Sequence, residues 1–242
     1  MENKKYNPLI SVVTVTYNAG KTLENTIKNI INQNYKNYEY IIIDGKSEDN
    51  TLDIIDKYKN KINFFISEHD NGIYDAMNKA LKYANGDFII FIGCDDTFAS
   101  KTTLTDFVNI IKNKDKDLCY YGNVILEKEK KIYDGEFNKY KITNKNICHQ
   151  AIFYSKKVYK NCKYDISYKI RADHKYNIVN FKKLKYINLI VANFNNITGF
   201  SSTSPEDQKF IKRKYLLYLR YLGLKTALTA LYCDYKYNMR YS

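Results

Sequence analysis

Short runs of apolar and β-branched residues alternate with segments of helical periodicity along the first 93 residues. The first run, LISVVTVT, is followed by apolar residues three and four positions apart, a pattern typical of a strand and then an amphipathic helix. The same order recurs twice before a fourth apolar run. We therefore predict strands at 9–16, 38–44, 62–67 and 87–93, and helices at 23–31, 47–55 and 73–84.

Strands that alternate with helices indicate an α/β fold with a mostly parallel sheet and helices on both faces. The run at 87–93 is almost continuously apolar, as expected for a strand that is buried on both sides. Ligands of such sheets bind beyond the carboxyl ends of the strands. We therefore expect the loops after Thr16, Asp44 and Gly93 to converge.

The pattern is less regular after residue 100. It indicates a helix at 104–111 and strands at 119–126 and 185–192, joined by lysine-rich connections. Pro205 precedes a helical tail rich in Leu, Tyr and Lys. We therefore divide the chain into an α/β domain, residues 1–204, and a basic amphipathic helical extension, residues 205–242.

The composition excludes two broad classes of protein. With 45% hydrophobic and 27% charged residues, the chain is too apolar for a disordered polymer and too charged for a bundle of membrane spans. No apolar stretch follows the lysines of residues 1–8, so we expect no secretory signal and a cytoplasmic protein. The five cysteines are odd in number and widely spaced, which favours reduced thiols.

The formal net charge of +13 is concentrated in the second half of the chain. Residues 1–126 carry 15 basic and 17 acidic side chains, whereas residues 127–242 carry 24 and 9. This distribution suits an enzyme that handles anionic substrates near an anionic membrane. We expect no nucleic-acid partner, although a nucleic-acid-binding module that uses the basic half is the alternative from a different class.

Two adjacent carboxylates, Asp95 and Asp96, follow the apolar run at 87–93. Like charges so close together repel each other, and a divalent cation such as Mg²⁺ or Mn²⁺ commonly relieves the repulsion, particularly when it also bridges a diphosphate. The pair therefore indicates a metal and diphosphate site. The alternative is that the pair caps the turn that begins at Thr97.

The ends of the first two predicted strands carry residues that suit a nucleoside. Tyr17 offers an aromatic face for a base, and Asp44 offers a carboxylate to an imide or a ribose hydroxyl. An ordinary turn at Tyr17 and Asn18 and an ordinary cap at Asp44 are the alternatives. A nucleotidyltransferase is a second alternative, but it usually has a glycine-rich loop here. A P-loop is excluded, because Gly20-Lys21-Thr22 lacks the earlier glycine.

Four segments of the chain resemble the family-2 inverting glycosyltransferases, whose catalytic domain has the GT-A nucleotide-diphospho-sugar transferase fold. SVVTVTYNAGKTLENTIKNIINQNYKNYEYIIIDGKSEDNT resembles the family's donor-binding block, and EHDNGIYDAMNKALKYANGDFIIFIGCDD resembles the block that ends in its metal-binding acids. HQAIF and DISYKIRADHKY resemble the acceptor-side segment of polysaccharide-forming members. The resemblance covers at least residues 8–180.

The resemblance implies a donor site and a metal site. Met77 stands where many members have a basic residue, which leaves Lys79 or Asp75 as its replacement. The implied metal ligand for Mn²⁺ or Mg²⁺ is Asp96, with Asp95. The implied donor-binding residues are Thr16, Tyr17, Asn18, Asp44, Lys79 and Asp95. A UDP-sugar is the expected donor.

The resemblance also implies that Asp173 is the catalytic base, which takes the proton of the acceptor hydroxyl. The alternative is a surface acid paired with Arg171 or Lys175. His149, Gln150 and Asp75 are the implied contacts to the acceptor or to the diphosphate, although a lone histidine is often structural. The implied acceptor is a growing surface glycan, which a lipid carries in some members.

The tail after Pro205 carries eight basic and three acidic residues around an apolar pattern. It is too often interrupted by charge to span a bilayer, but basic amphipathic helices with aromatic residues suit the cytoplasmic membrane surface. We expect peripheral association with an anionic membrane. A helical pair that packs on the first domain or on a second subunit is the alternative, and the oligomeric state stays open.

Overall fold

The computed structural model describes residues 6–197 and 207–241, and within these ranges the chain forms nine strands and nine α-helices. The strands are β1 (Ile10–Thr16), β2 (Tyr38–Asp44), β3 (Phe64–Ser67), β4 (Phe88–Phe91), β5 (Thr97–Phe98), β6 (Cys119–Leu126), β7 (Lys131–Tyr133), β8 (Ile152–Ser155) and β9 (Leu184–Phe194). The helices are α1 (Leu23–Ile31), α2 (Thr51–Lys57), α3 (Ile73–Tyr83), α4 (Thr103–Ile111), α5 (Lys141–Asn144), α6 (Lys156–Tyr159), α7 (Ala172–Val179), α8 (Gln208–Leu222) and α9 (Leu224–Tyr241).

The strands form one sheet in the order β3-β2-β1-β4-β8-β6-β9-β5, with β7 beside β6. The strands β1 to β4 are mutually parallel, which confirms the predicted α/β organisation, and β8 joins β4 in the antiparallel sense. Thr16 is the register partner of Asp44, and Asp44 is that of Ser67. The carboxyl ends of these strands therefore lie at one edge.

Apolar side chains fill both faces of the parallel half. Val13 packs with Met77 of α3 on one face, and Val12 packs with Leu23 and Ile27 of α1 on the other. All of these side chains are buried. Each buried aliphatic side chain of this size contributes about 1.5–3 kcal/mol relative to an exposed one. The strands are thus buried on two sides, as the unalternating sequence predicts.

One local prediction is wrong, and one alternative does not apply. The second helix begins at Thr51 and not near Ser47, because Ser47 bonds to Asp44 and organises the loop before the helix. The acids after β4 do not cap a turn, since the residues that follow them form β5 and α4 begins after Thr102.

The helices α8 and α9 pack against each other and against the sheet domain. Phe210 stacks on His174 of α7, with ring centroids 5.0 Å apart. The hydroxyl of buried Tyr218 donates to the carbonyl of Thr143 at 2.9 Å. The predicted domain boundary at 204/205 lies outside the described residues. In the described ranges, every helix is too short or too polar to cross a membrane.

Candidate active site

A cleft of about 760 Å³ opens beyond the carboxyl ends of β1 and β4. Tyr17 follows β1, and Asp95 and Asp96 follow β4, and all three line the cleft. Asp173 and His149 line it as well. The sheet thus brings together residues that lie up to 156 positions apart in the sequence, as predicted for the loops after β1 and β4.

Asp96 is 1% exposed, and both of its carboxylate oxygens accept hydrogen bonds. Oδ2 accepts from Nε2 of Gln150 at 2.8 Å, and Oδ1 accepts from the backbone nitrogen of Asn195 at 2.8 Å. Burial, followed by the charge of Asp95, raises the pKa of Asp96 to about 6. Asp96 is therefore fixed in position, and its negative charge is only partly compensated.

Asp95 lines the cleft and is partly exposed. Burial raises its pKa above the ordinary value, and the charge of Glu127 acts in the same direction. Both members of the acidic pair are thus held in surroundings that disfavour ionisation.

The two carboxylates fit a divalent cation that is shared with a diphosphate. Among the described residues, no group of three His, Cys, Asp or Glu side chains is placed to complete a metal site. Mg²⁺ is commonly held by one or two carboxylates, with water and substrate phosphate oxygens as its other ligands. A carboxylate oxygen that accepts one hydrogen bond keeps a further lone pair for a metal. Burial disfavours the ionised forms of Asp95 and Asp96, and a bound cation would offset that cost by stabilising their negative charge.

Asp173 stands in the first turn of α7, and its carboxylate is held by donors from three parts of the chain. Oδ1 accepts from the hydroxyl of Tyr74 at 2.9 Å and from the backbone nitrogen of His174 at 2.8 Å. Oδ2 accepts from Nδ2 of Asn146 at 2.7 Å. Burial raises the pKa of Asp173, but the neighbouring His149 and the hydrogen bond from Tyr74 outweigh it, so the pKa lies below the ordinary value.

The surface-acid alternative for Asp173 is not what the structure shows. Its side chain is 13% exposed, and Lys175 bonds instead to Asp165 at 2.6 Å. Asn177, which is fully buried, donates to Oδ1 of Asn146 at 2.9 Å and accepts from the hydroxyl of Tyr154 at 2.7 Å. A buried chain of hydrogen bonds therefore runs from the sheet to Asp173.

One 3₁₀ turn, His149–Ala151, contacts both acidic positions. Nδ1 of His149 lies 3.7 Å from Oδ2 of Asp173, while Gln150 is the donor to Asp96. The predicted acceptor-side residues His149 and Gln150 thus lie in the cleft, and Gln150 is 3% exposed. Gln150 is therefore a buried donor to Asp96 and is not an exposed group that could bind the acceptor directly.

The predicted nucleoside residues occupy two different environments. Tyr17 is 63% exposed at the cleft, beside Gly45, where a Cβ would lie 3.4 Å from the tyrosine ring. Asp44 is fully buried outside the cleft lining, and its oxygens accept three hydrogen bonds from Ser47 and Ser67. Asp44 therefore fixes the loop that supports Tyr17, and its contact with a nucleoside stays a prediction.

Thr16 and Asn18 flank that tyrosine. Thr16 is buried at the end of β1. Asn18 has a φ of 49°, as in a tight turn, and its side-chain oxygen accepts from the backbone nitrogen of Glu48 at 2.9 Å. Both residues join the loops after β1 and β2, and neither lines the cleft.

Lys79 and Asp75 lie on α3 outside the cleft lining. Nζ of Lys79 pairs with Asp70, and also with Glu68 at 2.9 Å. Asp75 accepts from the backbone nitrogen of Asn71 at 3.0 Å. Both residues therefore hold the segment before α3, and their predicted roles at the donor or acceptor stay predictions.

Three residues that position the acids, Tyr74, Asn146 and Asn195, are not among the predicted site residues. The position of Tyr74, three residues before Met77 in the predicted helix, places it on the inner face. Asn146 and Asn195 lie in loops, and neither periodicity nor spacing distinguishes them.

Residues 11–173 match the family model described as glycosyl transferase family 2. The chain belongs to glycosyltransferase family 2. It is similar to the PGL/p-HBAD biosynthesis glycosyltransferase of Mycobacterium tuberculosis, with 31% identity over 215 residues, covering 85% of this chain and 84% of the relative. The nucleotidyltransferase and nucleic-acid alternatives are therefore set aside.

A second relative of this glycosyltransferase is the Escherichia coli UDP-Glc:alpha-D-GlcNAc-diphosphoundecaprenol beta-1,3-glucosyltransferase. It is 30% identical over 155 residues, covering 64% of this chain and 56% of the relative. Among solved structures, S. aureus TarS 1–349 in complex with UDP-GlcNAc superimposes with a TM-score of 0.74 at 19% identity, covering 87% of this chain and 65% of that one. The fold is therefore that of the GT-A glycosyltransferases, as predicted, with two further helices at the C-terminal end.

Proposed function

We propose that this glycosyltransferase is an inverting, metal-dependent enzyme that transfers a sugar from UDP to a growing surface glycan. The observation that carries the proposal is that an acidic pair, Asp95 and Asp96, and a separate ionised carboxylate, Asp173, line one cleft. The pair suits the leaving diphosphate, and the separate carboxylate suits the attacking hydroxyl. Tyr17, exposed at the cleft, is the proposed stacking surface for the base.

Inversion requires the acceptor hydroxyl to attack C1 of the sugar on the face opposite the diphosphate, through an oxocarbenium-like state. A bound Mn²⁺ or Mg²⁺ would supply charge neutralisation to the leaving diphosphate, held by Asp95 and Asp96. Asp173 accepts the hydroxyl proton at a carboxylate oxygen. Its low pKa keeps it ionised at neutral pH, and the hydroxyl becomes more acidic as its bond to C1 forms.

We propose a lipid-linked glycan as the acceptor. The E. coli relative is named for an acceptor that is a sugar on diphosphoundecaprenol. In this chain, Lys169 and Arg171 line the same cleft as Asp173, together with Lys145, which also pairs with Asp134, and we propose that these residues give an anionic acceptor a basic wall. A lipid-linked acceptor places the reaction at a membrane, and we propose the cytoplasmic face of the inner membrane.

Thermal unfolding with UDP-, GDP- and dTDP-sugars, each with Mn²⁺ or with a chelator, tests the proposal. A ligand at 100 times its Kd stabilises the native state by about 2.7 kcal/mol. We expect a UDP-sugar to raise the unfolding temperature in the presence of Mn²⁺ and much less with chelator. If no activated sugar changes the unfolding temperature in either condition, the proposed donor chemistry is wrong.

A further inference from the structure

The helix α9 exposes one continuous row of large apolar side chains. The row consists of Leu224, Leu228, Leu231, Tyr235 and Met239, which are 48–65% exposed. Spacings of three and four residues place them on one side of the helix. Large apolar side chains arranged in this way on a surface mark a site of association.

The helix α8 contributes Leu216 and Leu219, which are 70% and 45% exposed. Its opposite side is buried through Phe210, Tyr218 and Leu222 against the sheet domain and α9. The helical pair thus packs on the first domain with one side, which is one form of the predicted alternative, and leaves other apolar side chains exposed. We call the apolar residues exposed on α8 and α9 the outer face.

The exposed charges on these two helices are basic. Asp234 is half-buried, pairs with Lys214 and accepts from the hydroxyl of Tyr215 at 2.6 Å. The outward-facing charges belong to Lys212, Arg213, Arg220, Lys225 and Lys236. A partner for this surface therefore has to combine an apolar interior with negative charge.

We propose that the outer face docks on an anionic lipid bilayer. Acyl chains would receive the leucines, and acidic headgroups would pair with the surrounding lysines and arginines. A second copy of the same face would bring like charges together, which disfavours a dimer through this surface. This docking proposal rests on the proposed function, because a lipid-linked acceptor lies at the surface of a bilayer.

The start of α8 is joined to the basic wall of the cleft. The guanidinium of Arg171 lies 5.9 Å from the ring centroid of Phe210, and the backbone nitrogen of Lys169 donates to Asp207 at 2.7 Å. Docking through α8 and α9 would thus hold the Lys169 and Arg171 side of the cleft in a fixed position relative to the bilayer.

Co-sedimentation of the full chain with phosphatidylglycerol–phosphatidylcholine vesicles and with pure phosphatidylcholine vesicles tests the proposal. We expect binding to the anionic vesicles that weakens with salt, and at least tenfold weaker partition for the Leu228→Asp, Leu231→Asp double variant. The control is Ile132→Asp, because Ile132 on β7 is 60% exposed and lies outside the outer face. It should bind as the unaltered chain does.

Equal binding to both vesicle types, or binding that the double variant leaves unchanged, would overturn the proposal. A dimer in sedimentation velocity that Leu228→Asp dissociates would identify a second copy as the partner and would also overturn it. Donor-induced thermal stabilisation, measured on the same variants, should stay unchanged. This measurement of donor binding distinguishes failure of the docking proposal from failure of the proposed transfer reaction.

Discussion

Gln150 donates a hydrogen bond from Nε2 to Oδ2 of Asp96 at 2.8 Å, within a part of the cleft where both side chains are almost fully buried. This donor partly offsets the cost of keeping the carboxylate ionised away from water. Gln150 therefore holds Asp96, the proposed metal ligand, in position.

Replacement of Gln150 by leucine should weaken metal binding with little change in side-chain volume. Loss of the donor raises the pKa of Asp96 further, and removal of such a supporting group typically lowers metal affinity by about 10–100-fold. We expect the Mn²⁺ concentration for half-maximal transfer to rise by this factor. Gln33→Leu is the matched control, since Gln33 is equally buried but bonds to Ser100 and Leu104. An unchanged metal requirement in Gln150→Leu would contradict the assignment.

Replacement of Asp96 by asparagine should stabilise the metal-free protein at neutral pH. The pKa of Asp96 is raised to about 6 in the native state, so the native state holds this proton more tightly than the unfolded chain does. Its ionisation therefore lowers the free energy of unfolding as pH rises from about 4 to 6. Two pKa units correspond to about 3 kcal/mol, an upper limit for the gain.

Unfolding temperatures of both proteins across the pH range provide the measurement. The asparagine variant should be more stable above about pH 6 and equal to the parent at about pH 4. A difference between Asp96→Asn and the parent that is independent of pH would refute the raised pKa.

Replacement of Asp173 by asparagine should remove most transfer and leave donor binding intact. A positioned general base contributes about 10²–10⁴-fold to the rate, and the amide cannot accept the proton. Initial rates and donor-induced thermal stabilisation, measured together, separate the two effects. Asp165→Asn, which alters an acid paired with Lys175 outside the cleft lining, should transfer normally. A near-normal rate in Asp173→Asn would exclude Asp173 as the base.

Replacement of Tyr74 by phenylalanine should shift the acid side of the pH–rate profile. The Tyr74 hydroxyl bonds to Asp173 at 2.9 Å and lowers its pKa, so loss of the bond raises that pKa. The base then becomes protonated at a higher pH, and the rate falls earlier on acidification. Tyr120→Phe, whose hydroxyl bonds to the carbonyl of Asp115, should keep the original profile. Identical pH–rate profiles for Tyr74→Phe and the parent would show that the hydrogen bond from Tyr74 does not influence the pKa of Asp173.

The first half of the fold could be predicted because its signals are local. Each strand from β1 to β4 is a dense apolar run, and each helix between them has a clear apolar side. The meeting of the loops after Thr16 and Asp44 follows from the parallel order alone. The position of Asp95 and Asp96 at the cleft was predictable for the same reason.

The second half could not be predicted in this way because its elements are short or bury polar groups. The strands β5 and β8 have two and four residues, too few for a periodic pattern. The helix α7, which carries Asp173, buries His174 and Asn177 together with apolar side chains, so no apolar stripe is visible. Contacts from Asn146 and Asn195 depend on long-range pairing that one sequence does not display.

The 3₁₀ turn at His149–Ala151 couples the two halves of the cleft. Gln150 donates to Asp96, and its chain neighbour His149 lies 3.7 Å from Asp173, so we expect a displacement of either acid to move the support of the other. We expect that binding of the nucleotide-sugar fixes the position of the Asp173 carboxylate before the acceptor hydroxyl arrives to be deprotonated. The kinetic signature is a compulsory-order mechanism in which the activated sugar enters first.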